Sequence, residues 1–152
     1  MTRTAIFPGS FDPFTYGHAD IVERSLLLFD KLVIAIGHNT QKNRRYFEID
    51  MMVDKINSLY KDNDRVEVVV YNELTAQLAQ RYDARFLVRG LRNTTDFEYE
   101  NSIAQVNRHV NEQLETVFLI TSPKYAYISS TIIREVHRYQ GDVAHFLPYT
   151  LD

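Results

Sequence analysis

The chain has no cysteine, and it carries only five glycines and four prolines among its 152 residues. Without thiols it can form neither a disulfide nor a zinc site with thiolate ligands. No apolar run reaches the length that spans a membrane, and the N-terminus, Met1 to Thr4, lacks the apolar core of a signal peptide. We therefore expect a cytoplasmic protein that does not bind membranes.

The sequence also lacks a large excess of positive or negative charge. Seventeen lysines and arginines face twenty aspartates and glutamates, so the formal net charge is −3. A weakly acidic chain without a basic run does not favour nucleic acid as a partner, although a basic pocket can exist locally. Hydrophobic residues make up 45% of the sequence, which is ordinary for a soluble globular protein. We expect one domain over residues 1–152.

Several signatures of nucleotide-binding and hydrolytic proteins are absent. The sequence contains no G-x-x-x-x-G-K-[ST] P-loop, no G-x-G-x-x-G dinucleotide fingerprint and no G-x-S-x-G nucleophile elbow. No close group of histidine, aspartate and glutamate has the spacing of metal ligands. These absences exclude the P-loop and dinucleotide-binding classes, so any phosphate site has to be built differently.

Apolar runs typical of strands alternate with apolar residues at helical spacing. The run 32–36 is continuously apolar, which is typical of a strand buried on both faces of a parallel sheet. Strands are predicted at about 4–8, 32–36, 66–70, 86–88 and 117–120, and helices at about 17–30, 48–60, 74–79, from a capping box at 95–98 to about 114, and from Ser129 or Ser130 to about 139. The alternation predicts an α/β fold with a doubly wound, five-stranded parallel sheet, Rossmann-like in architecture.

Ligands of such sheets bind beyond the carboxyl ends of the strands. The loops at that edge are 9–18, 37–46, 71–75, 89–100 and 121–131. They hold several cationic and hydroxyl side chains, namely Ser10, His18, Lys42, Arg44, Arg45, Arg89, Arg92, Ser129, Ser130 and Thr131. Cations from three loops and two helix N-termini would converge on one edge. This arrangement predicts a site for several phosphates.

His18 lies in the first turn of a predicted helix, directly after the loop that follows the first strand. The free backbone N–H groups and the positive dipole end of that helix suit an anion. The imidazole adds a side-chain donor that a phosphate could accept from. Taken alone, His18 could equally be a histidine that caps the helix, and its charge is open at this point.

Two motifs occur in a characteristic order. Thr15-Tyr16-Gly17-His18 follows the first strand, and Ile128-Ser129-Ser130-Thr131-Ile132-Ile133-Arg134 lies near the end. Together they resemble the T-x-G-H and I-S-S-T-x-I-R motifs of the nucleotidylyltransferase superfamily. The segments 89–100, 107–109 and 140–143 narrow the resemblance to the bacterial phosphopantetheine adenylyltransferases, over nearly the whole chain. The resemblance implies transfer of an adenylyl group from ATP to 4′-phosphopantetheine, which gives dephospho-CoA and pyrophosphate in coenzyme A synthesis.

The resemblance also implies roles for residues at the matching positions. His18, Lys42 and Arg92 would be catalytic, with His18 donating to the α-phosphate of ATP and Lys42 bridging the reacting phosphates. The acceptor, 4′-phosphopantetheine, would contact Ser10, Lys42, Leu74, Thr75 and Arg89. ATP would contact Ser10, Phe11, His18, Gly90, Leu91, Arg92, Glu100, Tyr125, Ala126, Tyr127, Ile128, Ser129, Ser130 and Thr131.

Mg²⁺ is the expected cofactor, held mainly by the ATP phosphates and water, because the sequence offers no carboxylate cage. No residue is predicted to ligate the metal directly. The resemblance further implies a homohexamer and feedback binding of coenzyme A.

The sequence departs from the family in one loop. Between Lys42 and Phe47 it is one residue longer than the resemblance leads us to expect, so Arg44 or Arg45 could share the role of Lys42. Two other functions stay open: a small nucleotidylyltransferase with another phosphate acceptor, such as glycerol phosphate or nicotinamide mononucleotide, and a non-catalytic nucleotide-binding module. The presence of both His18 and Lys42 favours an enzyme.

Overall fold

The computed structural model describes residues 1–38 and 44–151, in which five parallel strands alternate with five α-helices. The strands are β1 (Thr4–Gly9), β2 (Lys31–Gly37), β3 (Val66–Tyr71), β4 (Phe86–Leu91) and β5 (Glu115–Ile120). The helices are α1 (Tyr16–Leu28), α2 (Ile49–Leu59), α3 (Thr75–Arg81), α4 (Thr94–Val110) and α5 (Ser130–Arg138). Two single 3₁₀ turns, Pro123–Tyr125 and Ala144–Phe146, flank α5.

The strand order is β3-β2-β1-β4-β5, which confirms the predicted doubly wound sheet. The chain builds outward from β1 to β3 and then crosses back to place β4 on the other side of β1. The loops that leave β1 and β4 therefore diverge, and a crevice opens between them. In doubly wound sheets this reversal point is where ligands bind.

Strand side chains alternate between two apolar layers because successive residues of a strand point to opposite faces. On β2, Leu32, Ile34 and Ile36 pack on one face with residues of α1 and α2, while Val33 and Ala35 pack on the other with residues of α3. All five side chains are fully buried, as the continuous apolar run predicts. The two layers hold the carboxyl ends of the central strands rigidly beneath the crevice.

Several predicted boundaries are wrong, including the end of α4, which lies at Val110 and not near residue 114. The capping box expected at 95–98 does not form, because Asn93 caps α4 by accepting from the backbone N–H of Asp96. Helix α1 ends at Leu28, because the next residues leave the helix and Asp30 N–H already donates to the carbonyl of Arg3. Strand β4 continues through Arg89 and Gly90 to Leu91, because their backbone pairs with β5.

Helix α4 packs less tightly than its apolar spacing suggests. Val106 and Val110 are exposed, and Glu100 is its one buried residue. None of the helices in the described ranges is both long enough and apolar enough to cross a membrane.

Candidate active site

Two neighbouring cavities lie beyond the carboxyl ends of β1 and β4. The larger, which we call the phosphate cleft, has a volume of about 300 Å³ and lies between the loop after β1, the N-terminus of α1, the end of β4 and the start of α5. The smaller, the side cavity, has a volume of about 270 Å³ and lies between β1, β4 and helices α3 and α4. Ser10, Arg89 and Glu100 line both cavities, so the two meet at these side chains.

Most residues predicted to bind ATP line the phosphate cleft. They are Ser10, Phe11, His18, Gly90, Arg92, Glu100, Tyr125, Ile128, Ser129, Ser130 and Thr131. Leu91, Ala126 and Tyr127 were predicted with them but do not line it.

Of the five residues predicted to bind the acceptor, three line the side cavity. They are Ser10, Thr75 and Arg89. Leu74 does not line it, and its side chain is 57% exposed. Lys42 lies outside the described residues. Within those residues, the structure thus brings most of the predicted groups to one place.

Helix α1 begins with a reciprocal cap that involves His18. The Thr15 hydroxyl accepts from the backbone N–H of His18 at 3.3 Å, and Nδ1 of His18 accepts from the backbone N–H of Thr15 at 2.9 Å. An N–H group can only donate, so Nδ1 carries no proton and the proton of the neutral ring is on Nε2. The capping role and a ligand-binding role are therefore compatible, because Nε2 remains available to a group in the cleft.

Aromatic rings enclose the rest of the imidazole. Phe11 packs edge-on against it at a centroid distance of 4.9 Å, and Phe14 and Phe7 lie 5.4 and 6.2 Å away. Burial among these rings, together with the nearby positive charges of Arg89 and Arg92, lowers the pKa of His18 to about 3. His18 is a neutral hydrogen-bond donor at physiological pH.

Hydrogen bonds to α4 and to β1 hold the Arg89 side chain in place. Its Nε and Nη2 donate to the two carboxylate oxygens of Glu100 at 2.7 and 2.8 Å, and its Nη1 donates to the carbonyl of Pro8. A bidentate pair of this kind fixes the plane of the guanidinium. Two of its five N–H groups remain for a ligand, at a point that faces both cavities.

Arg92 and Asp96 form a second pair at the cleft, with Nε and Oδ2 3.0 Å apart. Burial alone raises the pKa of Asp96, but the hydrogen bonds from Arg92 outweigh it and hold that pKa below its usual value. Both carboxylates that line the cleft, Asp96 and Glu100, are thus engaged by arginines. Within residues 1–38 and 44–151, no group of three or more histidine, aspartate and glutamate side chains could hold a metal ion. The cleft offers donors for phosphate oxygens rather than ligands for a bare cation.

The second sequence motif contacts the loop that leads into the first motif. The Ser130 hydroxyl donates to the carbonyl of Pro13 at 2.9 Å, and Nη1 of Arg134 donates to the carbonyl of Asp12 at 2.6 Å. Ser129 caps α5 by accepting from the backbone N–H of Ile132. The contacts explain why a motif near residue 15 and one near residue 130 belong to one site.

No motif in the sequence pointed to Asp12. Its buried carboxylate accepts from the backbone N–H groups of Tyr46 and Phe47, each at 2.8 Å, and so ties the chain after β2 to the loop after β1. The signal in the sequence was the Asp12-Pro13 pair, which predicts a loop but not a partner 34 residues away.

Arg45 does not reach either cavity, although it was a candidate to share the role of Lys42. Its guanidinium is turned toward the backbone carbonyls of Ser10, Phe11 and Phe47. As the structure places it, the side chain supports the loop after β1 instead of contacting phosphate.

The chain is similar to known proteins along nearly its whole length. Residues 6–136 match a family model described as cytidylyltransferase-like. The chain is 63% identical over 151 residues to phosphopantetheine adenylyltransferase of Cytophaga hutchinsonii, covering 99% of this chain and 100% of that protein. It is 48% identical over 146 residues to the phosphopantetheine adenylyltransferase of Bacteroides thetaiotaomicron, covering 96% of this chain and 95% of that protein.

A solved structure shares the fold at much lower identity. The bifunctional NMN adenylyltransferase/ADP ribose pyrophosphatase from Francisella tularensis superposes with a TM-score of 0.71 at 16% identity, over 97% of this chain and 45% of that one. This likeness concerns the architecture alone.

Proposed function

This chain belongs to the cytidylyltransferase-like family, and on that premise we propose that it acts as a phosphopantetheine adenylyltransferase in coenzyme A synthesis. It transfers the adenylyl group of ATP to 4′-phosphopantetheine and releases pyrophosphate. The observation that carries the proposal is the junction of two cavities at Ser10 and Arg89, beside His18. A transfer between two phosphate compounds needs two binding sites that meet where the phosphates react.

The acceptor is a phosphate monoester, which is an anion near neutral pH and needs no general base. What the reaction needs is in-line alignment and relief of the repulsion between phosphates. With ATP in the phosphate cleft and the pantetheine arm in the side cavity, the acceptor phosphate would lie next to Arg89. The bond from its oxygen to the α-phosphorus would form as the bond to the departing pyrophosphate breaks, without a covalent enzyme intermediate.

His18 supports this reaction as a fixed donor. The Nε2–H of a neutral imidazole can donate to an α-phosphate oxygen and strengthen that bond as charge builds up during transfer. Because the backbone N–H of Thr15 already orients the ring, the Nε2–H group does not have to reorient as the transition state forms. Arg92 and the N-terminus of α5, with Ser129, Ser130 and Thr131, would accommodate the remaining phosphate charge.

Mg²⁺ would be held mainly by the ATP phosphates and water and would offset their charge, which agrees with the engagement of Asp96 and Glu100 by arginines. We further propose that Lys42 bridges the reacting phosphates. The homohexamer, the feedback binding of coenzyme A and the cytoplasmic location are also proposals, which the family resemblance supports.

The direct test mixes the purified protein with Mg²⁺, ATP and 4′-phosphopantetheine and follows pyrophosphate and dephospho-CoA. Parallel reactions replace the acceptor by pantetheine without its phosphate, by glycerol phosphate or by nicotinamide mononucleotide. Turnover with 4′-phosphopantetheine alone supports the proposal. Turnover with another phosphate monoester but not with this one would overturn the substrate, and ATP binding without any turnover would favour a non-catalytic module.

A further inference from the structure

We propose that Arg45 is a positioning residue for adenylyl transfer: its guanidinium holds the turn at Ser10 and Phe11, which in turn holds His18 and the junction of the two cavities. The kinetic part of this inference rests on the function proposed above. The structural part concerns a contact between two segments that the predicted roles leave unexplained.

The contacts of Arg45 are directed at one turn. Nη1 donates to the carbonyl of Ser10 and Nη2 donates to the carbonyl of Phe11 at 2.8 Å, while Nε donates to the carbonyl of Phe47 at 2.8 Å. The side chain is 10% exposed, and its charge is balanced by the Asp12 carboxylate at 3.9 Å. The three nitrogens of the guanidinium each donate to a different carbonyl in a fixed planar geometry, which the single nitrogen of a lysine does not reproduce.

The turn itself needs support. Phe11 has a φ of 45°, in the left-handed region that a side chain with a Cβ rarely adopts. Such a conformation persists when its surroundings hold it in place. The carbonyl of Ser10, which precedes the Phe11 backbone, and the carbonyl of Phe11 itself both accept from Arg45. The guanidinium therefore stabilises the unusual turn directly.

The turn determines what reaches the reacting groups. Phe11 is 2% exposed, and its ring packs edge-on against His18 at 4.9 Å. A Cβ at Gly9 would lie 3.0 Å from that ring, so glycine at this position leaves room for it. Ser10, between them, lines both cavities. A shift of the turn would therefore move the Phe11 ring away from His18 and would also move Ser10, which lines both cavities.

Arg45 belongs to the loop that is one residue longer than the family resemblance predicts. Its contacts give that arginine a role other than phosphate binding. It connects the chain before α2 to the loop after β1, in parallel with the two hydrogen bonds that Asp12 accepts.

The test compares Arg45→Lys and Arg45→Gln with the matched control Arg65→Lys. Lysine keeps the charge but lacks the separate nitrogens with which Arg45 reaches the three carbonyls. Glutamine avoids burying a bare ammonium group if the lysine variant folds poorly. Arg65 also donates to backbone carbonyls, those of Leu26, Phe29 and Asp30, but at the opposite end of the sheet. For each protein we would measure kcat, both KM values, the melting temperature and the ¹⁵N resonances of the His18 imidazole.

We expect the Arg45 variants to lose about 10- to 100-fold in kcat, the scale of a small misplacement of reacting groups. The KM for ATP should change less than about 3-fold, and the His18 resonances should shift because the Phe11 ring beside the imidazole moves, while the Nε2–H tautomer fixed by Thr15 is kept. Arg65→Lys should lower the melting temperature and leave both kcat and the His18 resonances unchanged. The inference is wrong if folded Arg45 variants keep kcat within about 2-fold, or if kcat follows the melting temperature equally in all three variants.

If the wild-type protein shows no turnover with ATP and 4′-phosphopantetheine, the proposed function fails. The structural role of Arg45 is then tested by the His18 resonances without kinetic data. Resonances that are unchanged in Arg45→Gln would then overturn it, and altered ones would support it.

Discussion

The backbone N–H of Thr15 donates to Nδ1 of His18 at 2.9 Å, and this one hydrogen bond determines which nitrogen of the imidazole can serve a ligand. It leaves the proton on Nε2 and makes a doubly protonated ring unfavourable, because two N–H groups would then face each other. The aromatic side chains around the ring act in the same direction by disfavouring its charge. His18 is therefore a hydrogen-bond donor of fixed orientation rather than an acid.

His18→Ala should lower kcat by about 10²–10³, the range for loss of a donor that strengthens in the transition state. The variant should still bind ATP, because the rest of the phosphate cleft is unchanged. Steady-state kinetics and calorimetric titration with a non-hydrolysable ATP analogue separate the two effects. His145→Ala is the control, since His145 is exposed and lines neither cavity, and it should keep kcat within about 2-fold.

The stability of the protein should depend on His18 at acidic pH. Its pKa is about 3 in the folded protein and 6.5 in the free side chain, so the unfolded chain binds the additional proton between these values. Stability from the neutral ring is fully present above about pH 6.5 and is lost as the pH falls toward 3, by up to about 1.4 kcal/mol per pH unit.

Denaturant unfolding of the wild type and of His18→Gln between pH 4 and 8 measures this difference. The wild type should lose stability more steeply than the variant as the pH falls. Parallel pH profiles for the two proteins would show that His18 is not the group that titrates.

Arg89 and Arg92 should affect the two substrates differently. Arg89 lines both cavities, so Arg89→Lys should raise the KM for ATP and for 4′-phosphopantetheine, each by about 10-fold or more, because lysine cannot keep the bidentate pair with Glu100. Arg92 lines the phosphate cleft alone, so Arg92→Lys should lower kcat and raise the KM for ATP while the other KM stays within about 2-fold. Equal effects of both variants on both substrates would contradict this division of the site.

Arg134→Met should weaken the contact between α5 and the loop after β1. The substitution leaves the carbonyl of Asp12 without its 2.6 Å donor, which should cost about 1–3 kcal/mol of unfolding free energy and raise the KM for ATP. Arg138→Met, one turn further along α5, removes an exposed pair with Glu135 and should cost less than about 1 kcal/mol. Urea denaturation of both variants measures the difference, and equal losses would show that the Arg134 contact contributes nothing specific.

Much of the fold follows from local patterns. The apolar run at 32–36 predicts β2 correctly because a strand buried on both faces can hold little else. Predictions fail where two neighbouring residues could each cap the same helix. Thr95 is a suitable cap by residue type, but in the structure Asn93 caps α4 and accepts from the backbone N–H of Asp96. The end of β4 is missed for another reason, because Arg89 and Gly90 join the strand through backbone pairing with β5, to which side-chain pattern is blind.

The amino-acid sequence by itself determined the order of strands and helices, the loops that carry the cations and the two motifs that identify the family, because these features lie within short stretches of chain. Only the tertiary structure decided the charge and tautomer of His18, the pairing of Arg89 with Glu100, and the support of the Ser10–Phe11 turn by Arg45. Apart from the tautomer, which the nearby Thr15 fixes, these properties depend on groups from different elements, separated by 35 residues in the case of Arg45 and Ser10. Burial and hydrogen-bond geometry arise only when the sheet brings those elements to one edge.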